Sequence, residues 1–287
     1  SLSDRTTVAG DFSCSGCSKK GERAMSDLAH TSPAKVLIVS PTYNEIESIG
    51  NLINRISSVR TLLSDQSREM RYEIDLLIVD DNSPDGTAHY VKQEQSHGDS
   101  QGKLNWLHIL ERPGKGGLGP AYIAGFTWGL TKNYDIFCEI DADLSHQPEE
   151  LVALLDSLNG HDMAIGTRWI LGGSVVNWPF VRQLISRVGT GYARFALRLD
   201  LRDITSGYRA FHREVLENID LTTIHSQGYC FQIEVALRAH RNGYAIAQVP
   251  ITFVERVGGV SKMSRKIVVE ALWNVTKWGF GRYRYRR

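Results

Sequence analysis

The sequence lacks the features that mark membrane-spanning, secreted and disulfide-bonded proteins. Its 287 residues contain no secretory signal and no apolar run near the roughly 20 residues that an α-helix needs to cross a bilayer. Only four cysteines are present and nothing suggests a disulfide framework, which favours a reducing, cytosolic setting. Cys138 and Cys230 stand in apolar contexts that are typical of buried free thiols. We therefore expect a protein that does not cross a membrane by itself.

The first 33 residues also lack hydrophobic periodicity. They are rich in Ser, Gly, Asp and Lys, and we expect residues 1–33 to form a disordered leader or linker, with Met25 as a candidate natural start. Cys14 and Cys17 have the spacing of a metal or redox pair, but no second Cys/His pair lies nearby to complete a zinc site. We interpret this pair as incidental.

A net charge of one sign is missing from the chain as a whole. The formal net charge is +1, and the hydrophobic content of 42% is ordinary for a globular protein. The charge is unevenly placed, because residues 258–287 hold eight lysines and arginines against one glutamate. One short basic segment is poor evidence for nucleic-acid binding, so no nucleic acid is expected as a partner.

Apolar runs alternate with segments of helical periodicity from about residue 34 onward. The runs are short and continuous, as in central parallel strands, and the segments between them have apolar residues at helical spacing. This pattern predicts an α/β fold with a mostly parallel, doubly wound sheet. The predicted strands are Lys35–Ser40, Tyr72–Val79, Leu104–Leu110, Ile136–Cys138 and Met163–Gly166.

Polar residues follow the end of each predicted strand. In open α/β sheets ligands bind at the carboxyl edge, where such clusters converge. We therefore expect a single site that is built from distant parts of the chain. The clusters are Pro41–Glu45, Asp80–Thr87, Glu111–Gly119 and Asp141–His146, with Thr167 and Arg168 after the fifth strand.

The stretch Asp141-Ala142-Asp143 is the strongest candidate within these clusters. Two carboxylates separated by one residue suit Mg²⁺ or Mn²⁺, which proteins usually hold with one or two carboxylates plus substrate phosphates. The alternative is that Asp143 or Ser145 caps the helix that begins near Pro148. The position of the pair at the mouth of a strand, beside the other clusters, favours the metal site.

The remaining clusters suit a nucleotide, although each residue also has a structural alternative. The glycine-rich segment Pro113–Gly119 resembles a phosphate cradle but lacks the spacing of a P-loop or a dinucleotide fingerprint, so a flexible loop is the alternative. Asp80 or Asp81 can accept hydrogen bonds from a base or a ribose. Tyr43 can flank a purine or pack within its turn, and Glu45 can accept from a guanine-like edge or act as a first-turn acid.

These motifs occur together and in order in one known family. They are Pro41–Glu45, Val79–Thr87, Asp141–His146, Gly166–Arg168, Thr205–Ala210, Val249–Phe253 and Ser261–Met263. They resemble the motifs of the polyprenol- and dolichol-phosphate mannosyltransferases, which are inverting family-2 glycosyltransferases with a GT-A fold. The resemblance covers residues 35–277 and implies a catalytic domain at residues 34–265. Two further segments, Asn177–Pro179 and Gly228–Gln232, are especially similar to the actinobacterial polyprenol-monophosphomannose synthases.

The resemblance implies a reaction. Mannose would pass from GDP-mannose to a polyprenyl or dolichyl phosphate with inversion, giving a β-mannosyl phosphoryl polyprenol, and Mg²⁺ or Mn²⁺ would be the cofactor. Three alternatives stay open. They are another polyprenyl-phosphate glycosyltransferase, for example one that uses UDP-glucose, a non-catalytic nucleotide-sugar-binding domain, and a metal-dependent nucleotidyltransferase.

The resemblance also implies roles for individual residues on the donor side. Asp141 and Asp143 would hold the metal, with Ser145 as a third contact at a position where some relatives have Gln. Arg256 would act with the two aspartates in catalysis by stabilising the departing diphosphate. The residues implied in nucleotide-sugar binding are Pro41, Tyr43, Glu45, Asp81, Asp141, Ala142, Asp143, Arg213, Arg256 and Lys262.

On the acceptor side, Arg168, Arg182 and Ser186 match positions that grip the lipid phosphate. Arginine presents a planar fork that is suited to bidentate phosphate contacts. Arg182 and Ser186 stand four residues apart on a predicted helix and therefore share a face. The alternative is that Arg182 and Arg187 only solvate an amphipathic helix.

A polyprenyl acceptor must be reached at a membrane surface. Apolar residues at helical spacing lie among basic residues near the end of the chain, so we expect residues 266–287 to form an interfacial amphipathic helix and a basic tail. The competing interpretation is a helix that packs into the core. The expected location is cytoplasmic and peripheral at the inner face of the membrane, with an integral-membrane partner as in some relatives. The apolar residues are Ile267, Val268, Ala271, Leu272, Val275 and Trp278.

Overall fold

The fold is built on a seven-stranded sheet. The computed structural model describes residues 32–65, 72–99, 104–255 and 265–280. The strands are β1 (Ala34–Thr42), β2 (Tyr72–Asp80), β3 (Leu107–Glu111), β4 (Ile136–Glu139), β5 (Met163–Thr167), β6 (Ser174–Val176), β7 (Arg209–His212), β8 (Ile246–Pro250) and β9 (Thr252–Val254). The large sheet has the order β3-β2-β1-β4-β7-β5-β8, and β6 pairs with β9 in a separate ladder. Within the large sheet β7 alone runs antiparallel to its neighbours, so the expected mostly parallel sheet is confirmed.

Helices cover both faces of this sheet. They are α1 (Ile46–Leu63), α2 (Thr87–Asp99), α3 (Leu118–Leu130), α4 (Leu151–Asp156), α5 (Phe180–Leu197), α6 (Arg213–Asn218), α7 (Tyr229–Arg241) and α8 (Arg265–Phe280). The buried side chains of α1, α2 and α4 form one apolar layer, and those of α3, α5, α6, α7 and α8 form the other. The doubly wound architecture is therefore confirmed.

The predicted strands agree with the observed ones at the centre of the sheet, whereas the observed start of β3, at the edge of the sheet, differs from the predicted one. β1 and β2 pair in register from Ala34 opposite Tyr72 to Thr42 opposite Asp80, which extends both predicted strands toward the site. β3 begins at Leu107 rather than at Leu104. The reason is a turn in which the Leu107 amide donates to the Leu104 carbonyl at 3.1 Å.

The C-terminal helix α8 packs into the core. Val275 and Trp278 are only 2% and 6% exposed and lie among the buried residues of α5 and α7. The Tyr192 and Thr276 hydroxyls are 2.5 Å apart, which ties α8 to α5. The competing core-packing interpretation thus describes this face of α8, while Trp273 on the opposite face is exposed.

Several sequence expectations fall outside the described residues. These are the leader up to residue 31, the basic residues Arg256 and Lys262, and the tail from 281 to 287. The same holds for the side chains of Ile267 and Val268. Among the described helices, none is both long enough and apolar enough to cross a bilayer.

Close approach of α3 to the sheet generates a testable prediction. A Cβ on Gly125 would meet Val39 and would lie 3.0 Å from Val79, whereas a Cβ on Gly189, inside α5, meets nothing within 4 Å. We expect Gly125→Ala to lower the free energy of unfolding by about 1–3 kcal/mol, because a packed core resists added volume. Gly189→Ala should raise it by about 0.5–1 kcal/mol, because alanine favours the helix. Urea denaturation of both variants measures this, and equal stability of the two would contradict the packing at Gly125.

Candidate active site

The polar clusters predicted from the sequence meet at the carboxyl edge of the sheet. Thr42 pairs with Asp80 at the ends of β1 and β2, and Asp80 pairs with Glu111 at the end of β3. Glu139, the last residue of β4, lies opposite Arg209, the first residue of the antiparallel β7. The loops that follow β1 to β5 and the loop that precedes β7 therefore share one edge.

The loop from Asp141 to His146 is a tight turn that is held by its own polar groups. The Asp143 carboxylate accepts a hydrogen bond from the Ser145 amide at 3.0 Å, and Leu144 adopts a φ of 62°. The first turn of the following helix is capped by Gln147, without a side-chain capping bond. The helix-cap alternative for Asp143 and Ser145 is therefore wrong, because neither residue stands at the cap position.

His146 holds this loop in place through its buried imidazole ring. Its Nδ1 accepts a hydrogen bond from the Asp141 amide at 3.4 Å, and its ring stacks on Tyr208 with 5.0 Å between centroids. Phe253 contacts the same ring edge-on. Burial lowers the pKa of His146 to about 4, so the imidazole is neutral at neutral pH. The histidine thus holds the loop without adding a positive charge to it.

The two aspartates fit a divalent cation that is completed by a ligand. Asp141 and Asp143 are both partly exposed on the same short loop. No group of three or more His, Cys, Asp or Glu side chains that could hold a metal occurs within the described residues. Ser145 is buried, and its carbonyl accepts from the Val254 amide at 3.0 Å. Such a donor set suits Mg²⁺ or Mn²⁺ with substrate phosphate oxygens and water in the other positions.

A buried pair of charged residues lies directly behind the loop. Glu139 and Arg209 are both fully buried and face each other across β4 and β7. Burial raises the pKa of Glu139 to about 7, although the positive charge of Arg209 opposes the rise. Arg209 donates to the carbonyls of Ile204, Ser206 and Gln232 at 2.7–2.8 Å.

The glycine-rich loop is fastened to Asp81. The Asp81 carboxylate pairs with Arg112 and accepts from the amides of Gly116 and Gly117 at 2.9 and 3.0 Å. The flexible-loop alternative therefore does not describe this end of the segment. Asp80, the other candidate, is occupied within its own turn, because it accepts from Thr42 and from Ser83.

The other predicted nucleotide contacts lie beside this loop. The ammonium group of Lys115 lies 3.9 Å from the centroid of the Tyr43 ring. Glu45 is buried and accepts from the Ser48 hydroxyl at 3.1 Å. Pro41 lies one residue before the end of β1 and pairs with Val79 of β2. Ala142 is buried between the two aspartates of the predicted metal site.

Arg168 is held by a buried carboxylate. Its Nε and Nη2 atoms lie 2.6 and 2.7 Å from the two carboxylate oxygens of Asp203, and its backbone amide donates to the same group at 3.0 Å. The two side chains are 7% and 0% exposed. The planar fork predicted to grip a phosphate is thus already engaged, and only its remaining N–H groups can reach a ligand.

Arg182 and Ser186 lie on α5, as predicted, one turn apart on a common face. Arg182 pairs with Glu255 and stacks over Trp178, whose ring centroid lies 4.2 Å from the guanidinium carbon. The alternative in which Arg182 is a purely solvated residue is therefore wrong, because the side chain has fixed partners.

Arg213 is not part of this edge. It follows the last residue of the antiparallel β7 and therefore lies at the amino edge of the parallel strands. Its guanidinium donates to the carbonyls of Leu130, Lys132 and Tyr134 at 2.6–3.2 Å. The structure places Arg213 against the end of α3 and away from the site, against the sequence expectation.

Several residues of the site had no predicted role. Asp203 orients Arg168, and Tyr229 interacts with Arg168, Arg182 and Asp141 at the start of α7. Burial raises the pKa of Tyr229, while the two arginines oppose the rise. Gln232 lies one turn further along α7. The motif Gly228–Gln232 was the available signal, but nothing in it indicated that its side chains face Asp141.

The chain is similar to known glycosyltransferases. Residues 37–220 match the model of the family described as Glycosyl transferase family 2. The polyprenol monophosphomannose synthase of Mycolicibacterium smegmatis is 44% identical over 264 residues, which cover 90% of this chain and 94% of the relative. The undecaprenyl-phosphate mannosyltransferase of Micrococcus luteus is 47% identical over 245 residues, covering 85% and 94% of the two chains. The dolichol-phosphate mannosyltransferase of Pyrococcus furiosus is 34% identical over 250 residues, covering 85% of this chain and 64% of the relative.

Solved structures share the fold. A glucosyl-3-phosphoglycerate synthase from Mycobacterium tuberculosis superposes with a TM-score of 0.61 at 18% identity, covering 86% of this chain and 80% of that one. A complex of the same enzyme with Mn²⁺, uridine diphosphate and glucosyl-3-phosphoglycerate superposes with a TM-score of 0.60. At this identity the likeness concerns the fold alone, and it confirms the expected GT-A architecture.

The pair of Arg168 and Asp203 generates a stability prediction. Asp203→Asn leaves a buried guanidinium without its counter-charge, so we expect the free energy of unfolding to fall by about 3–5 kcal/mol. The matched control is Asp200→Asn, because Asp200 is 83% exposed in its ion pair with Arg194. That change should cost less than about 1 kcal/mol. Chemical denaturation measures the free energy of unfolding of both variants. Equal losses of stability would show that burial does not determine how much each ion pair contributes to stability.

Proposed function

The chain belongs to glycosyl transferase family 2, among its polyprenyl-phosphate mannosyltransferases, and on that premise we propose that it transfers mannose from GDP-mannose to a polyprenyl monophosphate. The product is a β-mannosyl phosphoryl polyprenol, a lipid-linked mannose donor. The relatives at 44–47% identity carry names that describe this class of reaction. GDP-mannose as the donor and inversion at the anomeric carbon are part of the proposal.

The observation that carries the proposal is the meeting of two kinds of charge at one edge of the sheet. The carboxylates of Asp141 and Asp143 lie on the loop after β4, and Arg168 and Arg182 approach the same place from β5 and α5. The Phe253 ring joins the two halves, because it lies edge-on against His146, which holds the aspartate loop, and 5.3 Å from the guanidinium carbon of Arg168. A nucleoside diphosphate with its cation suits the acidic half, and a phosphate monoester suits the basic half.

The acceptor needs no strong protein base. A phosphate monoester is largely dianionic at neutral pH, because its second pKa is about 6. One phosphate oxygen attacks the anomeric carbon and forms the new C–O bond, while the bond to the diphosphate oxygen breaks and its electron pair leaves with GDP. No proton is transferred, and a single displacement inverts the anomeric centre. The protein must position two anionic reactants and reduce their repulsion.

The side chains divide this work. Asp141 and Asp143 would hold the cation, which when bound supplies charge neutralisation for the departing diphosphate. Asp203 and Trp178 keep the two acceptor arginines in place before any ligand arrives. Arg256 and Lys262, which lie outside the described residues, would close over the donor phosphates as the resemblance implies.

A membrane-facing surface forms a further part of the proposal. The exposed apolar side chains of α5 form a stripe beside Arg182, and Phe180 at its start is 76% exposed. Such a stripe next to basic residues suits the interfacial region of an anionic leaflet. The stripe begins at the acceptor arginines, which is where the polyprenyl chain must leave the site. Its members are Phe180, Val181, Leu184, Ile185 and Val188.

This surface replaces the one expected from the sequence. The predicted interfacial face of α8 includes Val275 and Trp278, which are buried. Among residues 271–279, the part of α8 whose side chains the structure describes, Leu272 and Trp273 are the exposed large apolar residues. The proposed location, peripheral at the cytoplasmic face of the membrane, therefore rests on α5. An integral-membrane partner stays part of the proposal through the resemblance alone.

The metal assignment yields an activity prediction. We expect Asp143→Asn to reduce transfer of mannose to a short polyprenyl phosphate by more than about 100-fold, since losing a group that merely orients a metal ligand already costs about 10- to 100-fold. The assay measures lipid-linked product from GDP-mannose with Mg²⁺ or Mn²⁺. Asp200→Asn is the control and should keep wild-type turnover.

The same assay addresses the alternative donor. UDP-glucose replaces GDP-mannose in a parallel reaction with the wild-type chain. Product from UDP-glucose and none from GDP-mannose would overturn the proposed donor, and wild-type activity of Asp143→Asn would overturn the metal site.

The α5 surface yields a binding prediction. Val181, Leu184 and Val188 are at least 50% exposed, so their joint replacement by asparagine should leave the fold intact. We expect partitioning onto vesicles of phosphatidylcholine with phosphatidylglycerol to fall at least about tenfold, because each apolar side chain contributes about 1.5–3 kcal/mol when fully buried. Leu62→Asn, at an exposed leucine of α1, is the control. Undiminished binding of the triple variant would place the membrane contact elsewhere.

A further inference from the structure

One phenylalanine ring contacts both halves of the site. Phe253 is half-buried in β9, and its ring meets the His146 ring at an interplanar angle of 82°, with 5.3 Å between centroids. The guanidinium carbon of Arg168 lies 5.3 Å from the centroid of the same phenylalanine ring. His146 holds the aspartate loop, and Arg168 belongs to the acceptor half. The ring is thus shared by the two halves that the proposed function, on which this inference rests, assigns to donor and acceptor.

The backbone around Phe253 makes the same connection. The ladder of β6 and β9 places Phe253 opposite Val175, and an isolated antiparallel bridge joins Phe253 to His146. The next amide, that of Val254, donates to the Ser145 carbonyl at 3.0 Å. β9 therefore lies between the aspartate loop and the strand that leads to α5, and the Phe253 ring is fixed relative to both.

The residue at the end of this segment extends the connection to the second acceptor arginine. The Glu255 amide donates to the Val176 carbonyl at 2.9 Å, and the Glu255 carboxylate pairs with Arg182. Residues 253–255 consequently contact the aspartate loop and both acceptor arginines. A shift of these three residues would move both halves of the site together.

The sheet itself does not provide this connection. The aspartate loop follows β4, and Arg168 follows β5, but β7 lies between these two strands in the sheet. Direct pairing of β4 with β5 therefore does not fix one loop relative to the other. The proposed transfer needs such a fixed relation, because displacing one reactant by about 1 Å can cost about 100-fold in rate.

The chemistry of the ring suits this role. An aromatic ring attracts a cation at its face and packs well edge-to-face against another ring. Arg168 is 7% exposed, and a cation–π contact strengthens when the cation is removed from water. An aliphatic side chain of similar volume could fill the same space, but it would attract neither the guanidinium nor the imidazole ring in this way.

We propose that Phe253 is a positioning residue for both reactants. Its ring holds the aspartate loop through His146 and holds the guanidinium of Arg168, and it thereby fixes one relative to the other. Phe253 acts through these two residues rather than through a contact of its own with either ligand. Loss of the ring should weaken the binding of GDP with Mg²⁺ and also the binding of a polyprenyl phosphate, although the two ligands occupy different halves of the site.

Calorimetric titrations of the full chain test the proposal, one with GDP and Mg²⁺ and one with a short, water-soluble polyprenyl phosphate. We expect Phe253→Leu to weaken each affinity at least about fivefold, which is the lower end of typical coupling between sites. Phe253→Tyr should retain both wild-type affinities, because it keeps the aromatic ring. Phe253→Met also lacks a ring, so it should reproduce the loss and replaces Phe253→Leu if that variant does not fold.

Trp178→Leu is the comparison on the acceptor side. The Trp178 ring centroid lies 5.1 Å from the guanidinium carbon of Arg168 and 4.2 Å from that of Arg182. Within the described residues, neither of the ring contacts of Trp178 is with the aspartate loop. We expect this variant to weaken the binding of the polyprenyl phosphate and to leave the binding of GDP with Mg²⁺ unchanged.

Phe195→Leu is the matched control for the chemical change itself. The Phe195 side chain is 77% exposed near the end of α5. Its replacement by leucine should change neither affinity. Thermal unfolding of every variant establishes that the chain is folded at the temperature of the titrations.

The outcomes separate this inference from the proposed function. A Phe253→Leu variant that weakens only one affinity, or neither, would overturn the inference. So would a Phe253→Tyr variant that loses as much as Phe253→Leu, because the ring would then not be the cause. A wild-type chain that binds both ligands but transfers no mannose from GDP-mannose would overturn the proposed function and leave the inference standing. A chain that binds neither ligand would overturn both.

Discussion

The site depends on the contacts of one buried arginine. Arg209 is fully buried at the start of β7, and it donates to the backbone carbonyls of Ile204, Ser206 and Gln232. Through them it fastens the segment before β7 and the first turn of α7 to the end of β4. Burying a guanidinium is costly unless its donors are satisfied, and here each contact also positions a piece of the site. Glu139 lies opposite it in the pairing of β4 with β7.

From this anchor the two halves of the site acquire their rigidity in different ways. On the acceptor side, Arg168 is held by the buried carboxylate of Asp203, and Arg182 is held against Trp178. On the donor side, Asp81 fastens the glycine-rich loop through two backbone amides. Prior placement of these groups reduces the ordering that a ligand must impose when it binds. The same contacts set a limit, because a ligand that needs the Asp81 carboxylate must replace the hydrogen bonds that it already makes.

Much of this arrangement could be predicted from the sequence. The apolar runs and the helical periodicity between them indicated the parallel sheet. Because ligands bind at the carboxyl ends of parallel strands, Tyr43, Asp81 and Asp141 were predicted to share one site. Local patterns serve well there, because each strand and each turn depends on neighbouring residues. Arg213 shows where such reasoning ends. Its distance from the site follows from the antiparallel direction of β7, and strand direction is set by pairing between residues that are far apart in the chain.

The sequence by itself determined the first five strands, their order and the acidic pair at the end of β4, because hydrophobic period and turn chemistry act over a few residues. Only the tertiary structure decided which faces are buried. The apolar face of α8 packs into the core, and the stripe of α5 remains exposed, although both have helical spacing. Burial and hydrogen-bond satisfaction depend on every element that surrounds a side chain, and that information exists only once the chain has folded.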